Sequence, residues 1–209
     1  KEISKLCEDY DILMFWDCVM SGGGRVGGDA SGRGYFASDN YKDVKVDGRS
    51  MAKGLTAGYG SGGLMMVNQP VAEAIDAMGC DFGSTYSGQC IPVASAVLDA
   101  IEADDHAILR NASEMGDLWA SDLAPQLVDR FPQIILEANG TGLLQALLID
   151  KSVDLVKLKE AFVKEGLLVF AMRRKLDDNI VVMVTPPLVI RQKEVYDIFF
   201  CIYKALLTI

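Results

Sequence analysis

Glycine sets the first limit on what this chain can fold into. Gly22, Gly23, Gly24, Gly27, Gly28, Gly32, Gly34, Gly48, Gly54, Gly58, Gly60, Gly62 and Gly63 crowd into residues 21–63, out of 20 glycines in all. Glycine loses more backbone freedom on folding than any other residue, so this stretch makes neither a long helix nor a long strand. It reads as loop, broken by short strands near residues 50–52 and 64–67. Just before it, the apolar run at residues 12–16 has strand length and ends in Asp17. A continuous apolar run suits a sheet covered on both faces. Asn68 then caps a helix reaching about Met78, with Pro70 tolerated in its first turn.

The remainder reads differently. Residues 1–9 form a short amphipathic helix, residues 92–103 a helix, and residues 104–130 further helix interrupted near Pro125. Short apolar strands follow at residues 134–137, 143–149, 167–172 and 180–184, with an amphipathic helix at 153–164. A last helix from about Gln192 carries Val195, Ile198, Phe199, Ile202, Tyr203 and Leu206 on one stripe. The expected architecture is a glycine-rich α/β part over residues 1–103 and a compact α+β part over residues 104–209.

Composition excludes several function classes. A net charge of −9 and a pI near 4.6 oppose binding to a phosphate backbone or an anionic membrane. Mean hydropathy is +0.20 and half of the 209 residues are apolar, enough for a sizeable core, yet no apolar run approaches bilayer length. Five cysteines without a CxxC pair, and His106 as the lone imidazole, fit neither a zinc site nor a disulfide framework. A reducing cytoplasm is the simplest expectation. No secretory leader pattern opens the chain, and its first residue is Lys1 rather than Met, so the expectation is a start upstream or a processed chain.

Two readings of the glycine segment concern chemistry. Residues 22–27 match G-x-G-x-x-G after an apolar strand, but a dinucleotide turn needs a helix opening at its third glycine, and residues 28–34 are poor helix formers. The more specific constellation is Asp17 at a strand end, Lys53 between a strand and a glycine turn, and Thr85 in a polar segment. It suggests a pyridoxal phosphate site. That cofactor is an electron sink while its pyridine nitrogen is protonated, which calls for a carboxylate such as Asp17. A lysine must form the Schiff base and then move a proton, the task of Lys53. Hydroxyl and amide donors such as those of residues 84–88 must hold the phosphate.

At these residues the chain resembles the class III, omega-amino-acid type, pyridoxal phosphate-dependent aminotransferases. Asp17-Cys18-Val19-Met20-Ser21-Gly22-Gly23-Gly24-Arg25-Val26-Gly27 is similar to their Asp-Glu-Val-x-Ser/Thr-Gly-Phe-Gly-Arg-Thr-Gly segment. Tyr35-Phe36-Ala37-Ser38, residues 51–59 around Lys53, residues 79–82, residues 84–88, Gly140-Thr141-Gly142-Leu143 and residues 186–190 continue in family order.

The resemblance implies the C-terminal portion of the type I aminotransferase fold: part of the large mixed-sheet domain plus the small α+β C-terminal domain. It implies Lys53 as the catalytic amine, and Asp17, Val19, Lys53 and Thr85 as cofactor contacts, with Val19 on one face of the ring and Thr85 reaching the phosphate of a neighbouring subunit's cofactor. Arg173 matches a mobile arginine that binds a substrate carboxylate, while Met183 stands where other members carry an alternative arginine clamp.

The implied activity is a transaminase moving an amino group from an omega-amino acid or amine to a keto acid such as pyruvate. The resemblance covers only the C-terminal half of such a protein, so a complementary chain with the N-terminal half, in a homo- or hetero-oligomer, is implied as well. An aminomutase or decarboxylase on the same fold, and a catalytically silent module that binds a partner, remain open.

Departures from the pattern include Cys18 for Glu, Gly23 for Phe, Val26 for Thr, Ser61-Gly62 for Pro-Leu, and a longer interval from Asp17 to Lys53 through residues 28–34. If positions 23 and 62 are buried, the lost side chains remove packing of about 2–5 kcal/mol each. Blander roles stand beside each candidate: Lys53 as a turn lysine, Asp17 as a strand-end cap, Thr85 as an ordinary loop residue, Arg173 and Arg174 as a solvated pair. His106 is expected on a helix surface, and Asp104-Asp105 as a solvated capping pair.

Overall fold

The computed structural model describes residues 1–80, 83 and 85–209. The chain divides into two compact units, Lys1–Leu109 and Arg110–Ile209.

The first unit is organised by a small mixed sheet. Helix α1 (Glu2–Asp9) precedes β1 (Phe15–Asp17), β2 (Gly48–Met51), β3 (Leu64–Val67) and α2 (Gln69–Ala77). Strand β1 lies parallel to β2, with Asp17 opposite Ser50, and β2 runs antiparallel to β3, with Gly48 opposite Val67. Gly48 makes room for the Phe15 ring, which would lie within 2.3 Å of a Cβ there. One buried carboxylate pins the sheet at its start: Asp47, 2% exposed, accepts hydrogen bonds from the Met14 N–H and the Asn68 side-chain amide, each at 2.8 Å. Asn68 in turn caps α2 by accepting from the Val71 N–H at 3.1 Å. The Met14 N–H above all holds the Asp47 carboxyl below its ordinary value, with Lys45 adding an ion pair at 3.4 Å.

Two expectations change here. The apolar run at residues 12–16 is not covered on both faces: Ile12 and Leu13, which precede β1, are each 56% exposed, and Phe15 within it is 49% exposed. His106 is not a helix-surface residue. Within α3 (Ile91–Leu118) the helix breaks at Ala103, and Asp104, Asp105 and His106 all take positive φ. That conformation costs L-residues roughly 1–2 kcal/mol each. The break turns the His106 imidazole against Gly32, where an added Cβ would lie 2.9 Å away.

The second unit is a four-stranded antiparallel sheet backed by helices. Its strands β4 (Ile135–Thr141), β5 (Leu144–Ile149), β6 (Phe170–Arg173) and β7 (Ile180–Val184) lie in the order β4-β5-β7-β6. Alternate residues of β5 and β7 point inward, so Leu147, Ile149, Ile180 and Val182 meet Leu158 and Phe162 of α5 (Leu155–Lys164) and Ile202 of α6 (Gln192–Leu206) in one core. The break expected near Pro125 is a π-turn at Trp119–Leu123, after which Pro125 sits in the first turn of α4 (Ala124–Arg130). Asp154 caps α5, accepting from the Val156 and Lys157 N–H groups at 2.8 and 3.1 Å. Glu194 closes the start of α6, accepting from the Arg191 guanidinium at 2.8 Å and the Arg191 N–H at 2.9 Å.

Replacing Asp47 with Ala strips charge-assisted bonds from a buried site and is expected to lower the stability of the first unit by about 1.5–3 kcal/mol. Urea unfolding followed through Trp16, in a Trp119→Phe background, measures it. The Arg191 contacts bring Glu194 down to about 2 from an ordinary 4.5. A depressed carboxyl stabilises the fold fully above its unfolded value, so this contribution fades as pH falls from 4.5 towards 2. Glu194→Gln is expected to flatten the acid limb of the unfolding profile in that window.

Candidate active site

Parallel pairing of β1 and β2 brings the carboxyl ends of both strands to the same edge of the first unit's sheet, the edge where open α/β sheets place ligands. Asp17 is the last residue of β1, and Lys53 follows β2 by two positions. The Asp17 Oδ1 accepts from the Ser50 hydroxyl at 3.2 Å and from the Val19 N–H at 2.9 Å. Both bonds orient the carboxylate and leave Oδ2 without a protein donor among the described residues. Val19 is half-buried, whereas Asp17 is exposed.

Lys53 opens a 3₁₀ turn (Lys53–Leu55) at a φ of +41°, a left-handed conformation unusual for a residue with a side chain. The Leu55 N–H bonds the Ala52 carbonyl at 2.9 Å and the Thr56 N–H bonds the Lys53 carbonyl at 3.3 Å, which holds the turn. The Lys53 amine is exposed and donates to the thioether sulfur of Met20.

The turn after β1 packs directly on the lysine turn at one of the glycine departures. Gly23 is buried at a φ of +69°, and a Cβ there would lie 3.1 Å from the Gly54 Cα. Glycine thus lets the two turns approach closely. At Gly62 a Cβ would lie 2.4 Å from the Cys90 Cβ, so Cys90 occupies that space. The longer interval from Asp17 to Lys53 is also absorbed locally. Residues 28–34 close on themselves: the Asp29 N–H bonds the Arg33 carbonyl at 3.1 Å, and Arg33 pairs with the Asp29 carboxylate at 2.6 Å. The Ser31 hydroxyl and N–H, with Arg33 behind them, bring the Asp29 carboxyl down to about 2. No α-helix opens at Gly27; the next helical residues are the 3₁₀ turn Ala37–Asn40, so the dinucleotide reading lacks the amides it requires.

The other candidates lie apart from this pair in their contacts. Thr85 is exposed in a turn and has no hydrogen bond to Asp17 or Lys53, while Asp81, Phe82 and Ser84 of the same expected segments lie outside the described residues. Arg173 ends β6 in the second unit, where its guanidinium donates to the carbonyls of Lys151, Asp178 and Val153 at 3.2, 2.9 and 3.1 Å. Arg174 pairs with Asp177. Arg173 thus ties the β6–β7 turn to the connection between β5 and α5, and Arg174 braces that turn, so the two are not simply a solvated pair. Sequence reading missed Ser50, whose signal was its register opposite Asp17, and Met20. Among the described residues no group of three or more His, Cys, Asp or Glu side chains could hold a metal, and no helix is long and apolar enough to cross a membrane.

The known proteins to which the chain is similar are aminotransferases. The chain is 30% identical over 192 residues to acetylornithine aminotransferase of Prochlorococcus marinus, covering 90% of this chain and 42% of that protein. It is 28% identical over 210 residues to mitochondrial ornithine aminotransferase of Drosophila ananassae, covering 100% and 44%. Among solved structures, a transaminase from the marine bacterium Virgibacillus matches with a TM-score of 0.83 at 27% identity, over 99% of this chain and 47% of that one. An (S)-enantioselective omega-transaminase from Thermomicrobium roseum matches with a TM-score of 0.81 at 26% identity, over 99% and 45%. The chain therefore spans less than half the length of these relatives, and its fold is that of part of a pyridoxal phosphate-dependent transaminase. With the family model for class III aminotransferases matching residues 1–206, this chain belongs to the class III aminotransferase family.

Proposed function

We propose that this chain is the carboxyl-terminal half of a pyridoxal phosphate-dependent aminotransferase, acting with a complementary chain that carries the amino-terminal half. The observation that carries the reading is the placement of an oriented carboxylate, Asp17, and an amine, Lys53, at the carboxyl ends of two adjacent parallel strands. Pyridoxal 5'-phosphate, when bound, supplies the electron sink for breaking bonds at the substrate's amine-bearing carbon. Asp17 would hold the proton on the ring nitrogen through Oδ2, since Ser50 and Val19 already engage Oδ1. Lys53 would carry the cofactor through its amine and, once released, move a proton between substrate and cofactor carbons. Val19 would pack on one face of the ring, and Thr85 would reach a phosphate held by a neighbouring subunit.

The substrate side of the reading is an omega-amino acid or amine as donor and a keto acid such as pyruvate as acceptor, in two ping-pong half-reactions. Arg173 binds a substrate carboxylate in this reading only after giving up the carbonyls of Lys151, Val153 and Asp178. Residues 1–103 belong to the large cofactor-binding domain and residues 104–209 to the small one, in a cytoplasmic oligomer. The partner is supported by the apolar surface on the first unit: Ile3, Leu6, Tyr10, Ile12, Leu13 and Phe15 are all exposed. Stable obligate interfaces bury about 2,000 Å² or more, which this surface and the free edge of β1 invite.

Lys53→Ala is expected to abolish the visible absorbance that develops when the cofactor is added to the assembled protein, together with the transamination half-reaction. Asp17→Asn is expected to keep cofactor binding while slowing proton abstraction roughly a hundredfold or more. Ser50→Ala, losing one orienting bond, is expected to cost about 2- to 10-fold. Unchanged absorbance and turnover in Lys53→Ala refutes the assignment. Mass photometry is expected to find the chain associated, and a stable monodisperse monomer of 22.7 kDa would favour a silent, self-contained module instead.

A further inference from the structure

The Lys53 amine has a single hydrogen-bond partner among the described residues, the Met20 sulfur. A thioether is a weak acceptor, so it steers the amine while leaving it easy to release. Met20 is 43% exposed and open to small oxidants, whereas Met51, beneath the same turns, is 2% exposed and shielded. The two turns that carry Met20 and Lys53 pack closely, because a Cβ at Gly23 would lie only 3.1 Å from the Gly54 Cα and 3.2 Å from the end of the Met51 side chain.

We propose that Met20 is an oxidative modification site and that hydrogen peroxide, by converting it to the sulfoxide, restrains the Lys53 amine. A lone pair on the sulfur attacks one peroxide oxygen and forms the S–O bond. The O–O bond breaks, and the departing hydroxide becomes water by taking up a proton as the oxygen now on sulfur loses its own. The sulfur is oxidised by two electrons and the peroxide is reduced by two. The sulfoxide oxygen is a full hydrogen-bond acceptor at the end of the same side chain. It binds the Lys53 amine more firmly than the thioether does and so holds it back from electrophiles, and a thiol-dependent sulfoxide reductase reverses the change. Met65 and Met78 are more exposed, at 53% and 69%, and oxidise too, but neither contacts the Lys53 amine. The consequence for function rests on Lys53 being the cofactor-bearing amine; the effect on amine reactivity does not.

The test is therefore made on the full chain without cofactor. Brief acetylation with an N-hydroxysuccinimide ester near neutral pH, read by peptide mass spectrometry, reports the reactivity of Lys53 against that of the exposed Lys42 and Lys159. In molecules whose Met20 peptide has gained one oxygen, Lys53 labelling is expected to fall about 2- to 10-fold while the reference lysines stay constant. Reductase treatment is expected to restore it. Met20→Leu, a volume-conserving change, is expected to leave Lys53 labelling indifferent to peroxide. Full oxidation of Met20 without loss of Lys53 labelling overturns the proposal, as does an equal peroxide response in Met20→Leu. Neither result depends on the cofactor absorbance of Lys53→Ala, so the two readings fail separately.

Discussion

Asp47 ties together the segments from which the candidate site is built. Its buried carboxylate takes the Met14 N–H just before β1 and the Asn68 amide just after β3, and it directly precedes β2. A buried carboxylate without such donors would be strongly unfavourable, so the three strands are held in one register or the group is left unsatisfied. That register sets Asp17 opposite Ser50 and therefore orients the carboxylate that a ring nitrogen would meet. The same interaction reaches α2 through the Asn68 cap, so one side chain coordinates four elements.

The glycines of the first unit act on a smaller scale with a related result. At Gly23 and Gly62 the neighbouring Gly54 backbone and the Cys90 side chain stand where a Cβ would go. Close packing of the turns, rather than bulk at those positions, holds the loop after β1 against Lys53. Glycine at these positions lets the neighbouring segments approach closely. The insertion at residues 28–34 has the same character, since the Asp29–Arg33 pair lets the extra residues close on themselves.

The second unit shows how far local rules reach when periodicity and burial agree. Inward residues alternate along β5 and β7, and α5 and α6 bury the stripes their sequences carry. Its charged side chains are used in construction: Arg173 binds three carbonyls, Arg174 pairs with Asp177, and Glu194 closes the start of α6. An arginine so engaged is held in place by several acceptors at once, which makes any second role conditional on breaking those bonds.

Periodicity, caps and breakers made much of the element order legible: the Asn68 cap, a helix boundary near Ala103, an irregularity near Pro125 and the strands β3 and β7 follow from local residue choice. Motif spacing singled out Asp17 and Lys53, because a strand-end acid and a turn lysine are local features. Tertiary structure decided what those residues touch. Ser50 became the partner of Asp17 through strand register, and Met20 the partner of Lys53 through turn packing. Tertiary structure likewise decided the exposure of the 12–16 run and the packing of His106 against Gly32 at a left-handed break. The division has a physical basis: period, capping and turn chemistry act over a few residues, whereas register, edge position and close backbone approach depend on segments that the chain brings together from far apart.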